Sequence, residues 1–482
     1  MSAVGPSRTS GPQLRRLGGG AALLTAALAA AAAGQSPSGP AWTRGAVCYE
    51  IFVRSFFDSD GDGIGDLNGL IRKLGYVDSL GASCIWLMPV AQSPSYHGYD
   101  VSDYYRVAPA YGTNADFKRL VAEAHRRRIK VLVDMVLNHT SNENPWFQAA
   151  LKDTTSPYRS WYRFSPTALG KGPWGAEAWH HSPVRDEYYY GVFWSGMPDL
   201  NYETPAVQQQ AMKIATFWLR EMGVDGFRLD AVPYLLEEGS CLAGCPGTHA
   251  FLRAYAAHIR GPPYRWSPFL SNHDQTRTMT TLGGDVACAK LAATLLLTLP
   301  GLPFVYYGEE IGMTGDKPDE RLRTPMQWSP RPGVGFTNGT PWEAAQPDSM
   351  TVNVALEHSD PVSLLNLYRR LIHLRKENGA LGTGTLVALD ASSSRVAAYL
   401  RRTGAQAVLV VANLSDSAVS GVSIGSTGQS VLRAGTYAAR NLLGGPDGAM
   451  LAVGPDGRLT GYVPVPGPIG SRESLVLDLV RR

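Results

Sequence analysis

The amino-acid sequence predicts an α/β fold: a (β/α)8-type barrel of alternating parallel strands and helices, followed by an antiparallel β-domain. Three observations predict it. Strand-like apolar runs alternate with helix-period segments from Ala46 to Leu137. No glycine-rich phosphate loop follows any of those runs, which disfavours a doubly wound nucleotide-binding sheet. From about Gly382 the pattern changes to short alternating strands spaced by Gly, Ser and Asp.

At 482 residues, 44% hydrophobic and 18% charged, the chain has the composition of a globular protein able to bury a large core. A net charge of +3, with no basic run beyond Arg126 to Arg128, speaks against nucleic acid as a partner. Arg15 and Arg16, the apolar run Leu17 to Ala33 and the small residues up to Pro40 have the three parts of an export signal. The run is shorter than the roughly 20 residues that span a bilayer. Residues 1–40 are therefore expected to be a cleaved signal peptide and linker, with an uncleaved anchor as the alternative. The mature protein is expected to be secreted, extracellular or periplasmic, monomeric and without stable membrane association. Five cysteines, an odd number, exclude a fully paired framework. Cys241 and Cys245 are close enough for a small loop disulfide, whereas Cys48 and Cys84 lie in apolar strands and read as buried thiols.

The first barrel portion, 41–139, contains a strand from Ala46 to Phe56, a helix from Leu67 to Leu80, a buried strand from Ala82 to Val90, a helix from Asp116 to Arg128 and a strand from Lys130 to Leu137. Residues 140–196, rich in Trp, Tyr, His, Pro and Gly, are too long for a structureless loop and read as an inserted subdomain. Its aromatics suit either a small core of its own or stacking on sugar rings. The second barrel portion, 197–380, holds an amphipathic helix ending near Met222, the strand carrying Gly226 to Asp230, a further strand ending in Asn272-His273-Asp274, a strand at Val305 to Tyr307 and a helix from Pro361 to Lys376. The β-domain, read as a sandwich, occupies 381–482.

Asp58, Asp60, Asp62 and Asp66 alternate with glycines, and a backbone carbonyl at Ile64 completes the oxygen spacing of a Ca²⁺ loop, although Gly69 stands where an EF-hand has its closing Glu. Saturated by a metal, such carboxylates make poor nucleophiles, so this Ca²⁺ would be structural. Chemistry is expected elsewhere. Two-residue spacing puts Arg228 and Asp230 on one face of a strand end, where the guanidinium holds the carboxylate ionised. His139 ends the third strand and His273 and Asp274 end another, giving two His and two Asp on one rim, suited to gripping hydroxyls around an oxocarbenium ion.

The chain resembles the α-amylase family of glycoside hydrolases. The motifs that carry the likeness are Asp-x-Val-x-Asn-His at 134 to 139, Gly-x-Arg-x-Asp-Ala at 226 to 231 and Asn-His-Asp at 272 to 274, supported by the stretches 96 to 100, 197 to 201 and 323 to 328. The resemblance implies a retaining enzyme acting on α-glucans or maltooligosaccharides. It makes Asp230 the nucleophile and Asp274 the carboxylate that grips the reacting sugar, puts Arg228, His139 and His273 around that sugar, sets Tyr99 beneath it, and assigns His97 and Arg323 to substrate binding. It also implies a general-acid Glu at the end of a fifth strand, between residues 231 and 271. No strand ending in Glu is found there, and by family comparison about two strand-helix units are missing near 261–268. An internal deletion, a catalytically dead relative and a substitute acid such as Glu237 or Glu238 are the explanations left open. The second functional reading is a non-catalytic amylase-like protein that binds sugar or another protein. Tyr96 leans towards an open, amylase-like cleft, and the stretch 323 to 328 towards maltose-handling glucosidases and trehalose synthases.

Overall fold

A computed structural model describes residues 40–235, 267–426 and 428–482. The expected signal peptide, Cys241, Cys245, Glu237 and Glu238 lie outside these residues. The chain divides into two compact units, one running to Leu297 and again over Gly301–Glu377, the other made of Thr298–Pro300 with Asn378–Arg482.

In the first unit, strands β1 (Cys48–Ile51), β2 (Cys84–Leu87), β5 (Lys130–Met135), β9 (Gly226–Leu229) and β10 (Phe304–Tyr306) form a wholly parallel sheet in the order β10-β1-β2-β5-β9. Helices α1 (Leu67–Leu80) and α2 (Asn114–Arg126) supply the first crossovers, as parallel pairing requires. Asp66 caps α1 by accepting the Gly69 amide, and Gly81 closes it in the left-handed region at φ +91°. Thr113 and Asp116 form a reciprocal capping box on α2. β1 and β2 are buried at every position, as strands covered on both faces should be. β9 differs: its residues are only partly covered, and Leu229 is 42% exposed.

Three sequence expectations change. The first strand stops at Ile51, because Val53–Phe56 turns into a short helix. The segment Phe269 to Asp274 is not a strand. It is tied to β10 by one backbone bond, Phe304 N–H to Pro268 O at 2.9 Å, and then turns at Asn272, so no ladder forms. Cys48 and Cys84 are not free thiols but a disulfide: they are a register pair on adjacent strands with Cα atoms 4.5 Å apart, within bonding range. Cys288 is a free cysteine.

Between β5 and β9 lie helix α3 (Pro145–Lys152) and a three-stranded antiparallel sheet of β6 (Phe164–Ser165), β8 (Tyr188–Tyr190) and β7 (Trp179–His181), paired in that order. The pair β3 (Ala91–Gln92) and β4 (Asp103–Val107) carries the loop that contains Tyr96 to Asp100.

The second unit is antiparallel throughout. Its strands β11 (Thr385–Ala391), β12 (Val396–Arg402), β13 (Ala407–Asn413), β14 (Ile424–Gly425), β15 (Gly435–Asn441), β16 (Gly448–Val453) and β17 (Ser474–Arg481) run in the order β14-β11-β12-β13-β17-β15-β16. Hydrogen bonding links all seven in this order. β13 is buried at all seven positions, and Leu409 and Val411 join a core with Leu400, Leu475, Leu477 and Ile424. Among the described residues no helix is long and apolar enough to cross a membrane.

Candidate active site

The residues that carry chemistry meet at the C-terminal ends of the parallel strands, where strand alternation and the succeeding loops bring polar side chains together. Arg228, on β9, pairs in register with Asp134 on β5, so their side chains rise from the same level of the sheet. Arg228 donates through one guanidinium nitrogen to both Asp134 oxygens at 3.0 Å and to Asp230 Oδ1 at 2.6 Å. Its guanidinium also lies 5.2 Å from the ring centre of Trp86, on β2. Asp230 follows β9 directly, and its amide donates to Met135 O at 3.2 Å. The expected pairing of Arg228 with Asp230 is therefore present.

The network continues through Tyr99. Its hydroxyl lies 2.9 Å from Asp134 Oδ2 and 2.6 Å from His273 Nε2, and its ring stacks on the imidazole with centroids 5.5 Å apart. His273 Nδ1 is 2.6 Å from Glu50 Oε1, and Nε2 is 3.2 Å from Asp274 Oδ2. Arg323 secures the other side: Nε donates to His273 O at 3.0 Å, one terminal nitrogen to Asp274 Oδ1 and Asp319 Oδ2 at 3.1 Å, and the other to Tyr96 Oη at 3.3 Å. These side-chain bonds hold His273 and Asp274 in place although their segment is not a strand.

Charge follows from this packing. Burial pushes the Asp134 carboxyl up to about 7, against the opposing pull of Arg228. Desolvation disfavours the Arg228 cation, but Asp134, Tyr99 and Asp230 overcome it and raise the guanidinium above its ordinary range. Burial likewise works against an ionised Asp274, yet the hydrogen bond and charge of His273, with Arg323 and Arg228, hold it well below the usual carboxylate range. Asp134 has a side chain with no exposed surface, whereas the Asp274 side chain is 52% exposed. Asp274 therefore faces the open side.

His97 and His139 support Tyr99. His97 Nδ1 accepts the Tyr99 amide at 3.1 Å, so a neutral His97 carries its proton on Nε2, and burial lowers its pKa. His139 is 1% exposed and donates Nε2–H to Tyr99 O at 3.0 Å, so its donor orients the Tyr99 backbone rather than standing free. Burial keeps His139 below its ordinary pKa.

The acidic loop folds on itself. Asp58 Oδ1 accepts the amides of Asp60 and Gly61 and Oδ2 that of Gly63, while Asp66 accepts the amides of Ser59 and Gly69. Gly63 sits at φ +91° with Thr340 O where a Cβ would be, so only glycine fits. Carboxylate oxygens of Asp58, Asp60 and Asp66 come within 4.8 Å of one another. Asp62 is not part of that cluster; its Oδ1 accepts the Ile64 amide at 2.7 Å.

Sequence reasoning missed Glu50, Asp134 as a partner of Arg228, and Trp86. Glu50 had a legible signal: a carboxylate inside an apolar strand must be paired when the strand is buried.

Comparison with known proteins returns one consistent family. The family described as alpha amylase, catalytic domain, matches residues 50–263 and 249–384. Alpha-amylase 3 of Dictyoglomus thermophilum is 36% identical over 434 aligned positions, covering 78% of this chain and 85% of the relative. An oligo-1,6-glucosidase of Parageobacillus thermoglucosidasius is 31% identical over 510 positions, covering 78% and 91%. The crystal structure of an α-amylase from H. orenii superposes with a TM-score of 0.74 at 36% identity, over 90% of this chain and 99% of that one. Since 78% of 482 residues is about 376, the first two alignments contain 434 − 376 = 58 and 510 − 376 = 134 positions with no residue in this chain.

Proposed function

This chain belongs to the α-amylase family of glycosidases, and from that premise we propose that it is built on a retaining α-glucan hydrolase whose general acid is missing. The observation that carries the reading is the cluster Arg228, Asp230, Asp134, Tyr99, His273, Asp274 and Arg323 on the strand ends. In this reading Asp230, hydrogen-bonded by Arg228, is the nucleophile, and Asp274 with Arg323 grips the hydroxyls of the reacting sugar.

Retention needs a second carboxyl about 5 Å from the nucleophile to protonate the leaving oxygen. Asp134 shares the guanidinium of Asp230 and has a raised pKa, but its side chain is fully covered, so no leaving group can reach it. A family match in two pieces that overlap at 249–263, inside the stretch between Asp230 and Asn272, supports loss of a segment there. The 42% exposure of Leu229 on β9 supports the same reading, since barrel strands are normally covered by neighbours. The non-catalytic reading would follow from the same loss, and hydrolysis assays separate the two.

The acidic loop fits Ca²⁺. Three carboxylates with their oxygens inside 4.8 Å are hard ligands of the right kind, and Asp60, despite the Asp62 amide that lowers it, is raised net by desolvation and by the charges of Asp62, Asp58 and Asp66. Asp58, Asp60 and Asp66, with Asp62 and the Ile64 carbonyl nearby, would hold the ion, which would neutralise this repulsion and brace the start of α1. Excess chelator is expected to lower the melting temperature and added Ca²⁺ to restore it; a melting temperature that chelation leaves unmoved removes the site.

Export is part of the proposal. It is supported by the basic, apolar and small-residue pattern up to Pro40 and by the Cys48–Cys84 disulfide, which suits an oxidising compartment. N-terminal sequencing of protein made with the full chain should find a new start within 34–40 in the extracytoplasmic fraction; an intact Met1 there, or retention in the cytoplasm, overturns it.

A further inference from the structure

Glu50 is a carboxylate in the most buried strand of the parallel sheet, 1% exposed, and it faces His273, 223 residues away in sequence. We infer that Glu50 is a positioning residue that holds His273 as an imidazolium, with Nε2–H aimed at Tyr99 and Asp274. Both ring nitrogens face carboxylate oxygens, Nδ1 at 2.6 Å from Glu50 and Nε2 at 3.2 Å from Asp274. A neutral ring would turn one nitrogen lone pair towards a carboxylate. A doubly protonated ring gives every donor an acceptor: Nδ1–H to Glu50, Nε2–H to Tyr99 Oη and Asp274, and the Tyr99 hydroxyl proton to Asp134.

The surroundings agree. Trp86 packs edge-on to the imidazole at 5.7 Å, and Arg323 meets the ring's own backbone through His273 O. Burial alone would lower the His273 pKa, but the charge of Glu50 and the hydrogen bonds of Asp274 and Glu50 lift it to about 9. Glu50 is itself well braced. It pairs in register with Trp86 and Tyr306, and the Cys48–Cys84 disulfide joins its own strand to that of Trp86 two residues below. With His273 fixed, Tyr99 and Asp274 are oriented before any sugar arrives. The consequence for sugar binding rests on the proposed function; the state of His273 does not.

The test is nuclear magnetic resonance of the whole protein labelled with ¹⁵N-histidine. The sequence has 10 histidines, and His273→Gln identifies the relevant signals. In the unmutated protein the ring is expected to be doubly protonated at pH 7.5 and to titrate near pH 9. In Glu50→Gln it is expected to titrate at or below the ordinary 6.5, so that at pH 8 the imidazolium fraction falls from about nine-tenths to a few hundredths. Glu50→Asp is expected to keep most of the upward shift. A neutral His273 at pH 7.5 in the unmutated protein overturns the inference, as does an unchanged titration in Glu50→Gln. Should Glu50→Gln not fold, the unmutated protein and Glu50→Asp still decide. Calorimetry with maltotriose runs beside it: no binding would sink the α-glucan reading while leaving the Glu50–His273 result standing.

Discussion

Starch or maltooligosaccharide incubated with the purified protein is expected to yield no more than trace hydrolysis. Protonation of the leaving oxygen by a placed acid is worth roughly 10²- to 10⁴-fold, and Asp134, the covered carboxyl beside Asp230, cannot supply it. In the proposed reading the lost strands would cost more still, because ladder bonds and buried faces of their neighbours would go unmatched. Grafting the complete corresponding segment of a relative between Arg260 and Phe269 is therefore expected to improve soluble yield and to raise turnover by at least that factor. Asp230→Asn in the graft is expected to abolish the gain. Robust turnover by the unaltered chain, itself abolished by Asp230→Asn, would show that an acid is present after all, with Glu237 and Glu238 the first to replace.

Arg228→Met is expected to be the most destabilising single change at the site. It removes the cation shared by Asp134 and Asp230 while leaving both carboxyls in place. Deleting one partner of a buried ion pair costs about 3–5 kcal/mol, because the remaining charge is left uncompensated. The loss should depend on pH with a definite sign. Asp134 already has a folded-state pKa of about 7, raised from 3.8 by burial. A raised carboxyl contributes stability that is complete below its unfolded pKa and disappears as pH rises through the folded value. Without Arg228 that value rises further, so the variant should approach the parent near pH 4 and fall away by pH 8. Thermal melts across this range check it, and a deficit that is constant with pH would mean that the guanidinium matters only for packing.

Much of this molecule was legible because the signals are local. Leu67 to Leu80 reads as a helix from its spacing and is one. Alternation alone places Arg228 and Asp230 on one face. The Asp and Gly punctuation of 58 to 66 announces a loop whose carboxylates converge, and short alternating strands after Gly382 announce the antiparallel unit. Other features needed partners that lie far off in sequence. The 140–196 aromatics could not be sorted in advance. Trp161, Tyr162, Tyr189 and Trp179 are in cores, while Trp174 and Trp194 stay 55% and 49% exposed.

The sequence by itself determined the family, the alternation of strands and helices and the pair Arg228 and Asp230, and it offered no strand ending in Glu between Asp230 and Asn272. Spacing and turn chemistry act over a few residues, so they can be read along the chain. Only the tertiary structure decided that Cys48 bonds to Cys84, that Asp134 shares the guanidinium of Arg228, that His139 serves Tyr99, and that Glu50 holds His273. Each of those joins residues on different strands or loops, and strand order and register, which no local pattern encodes, settle which side chains meet.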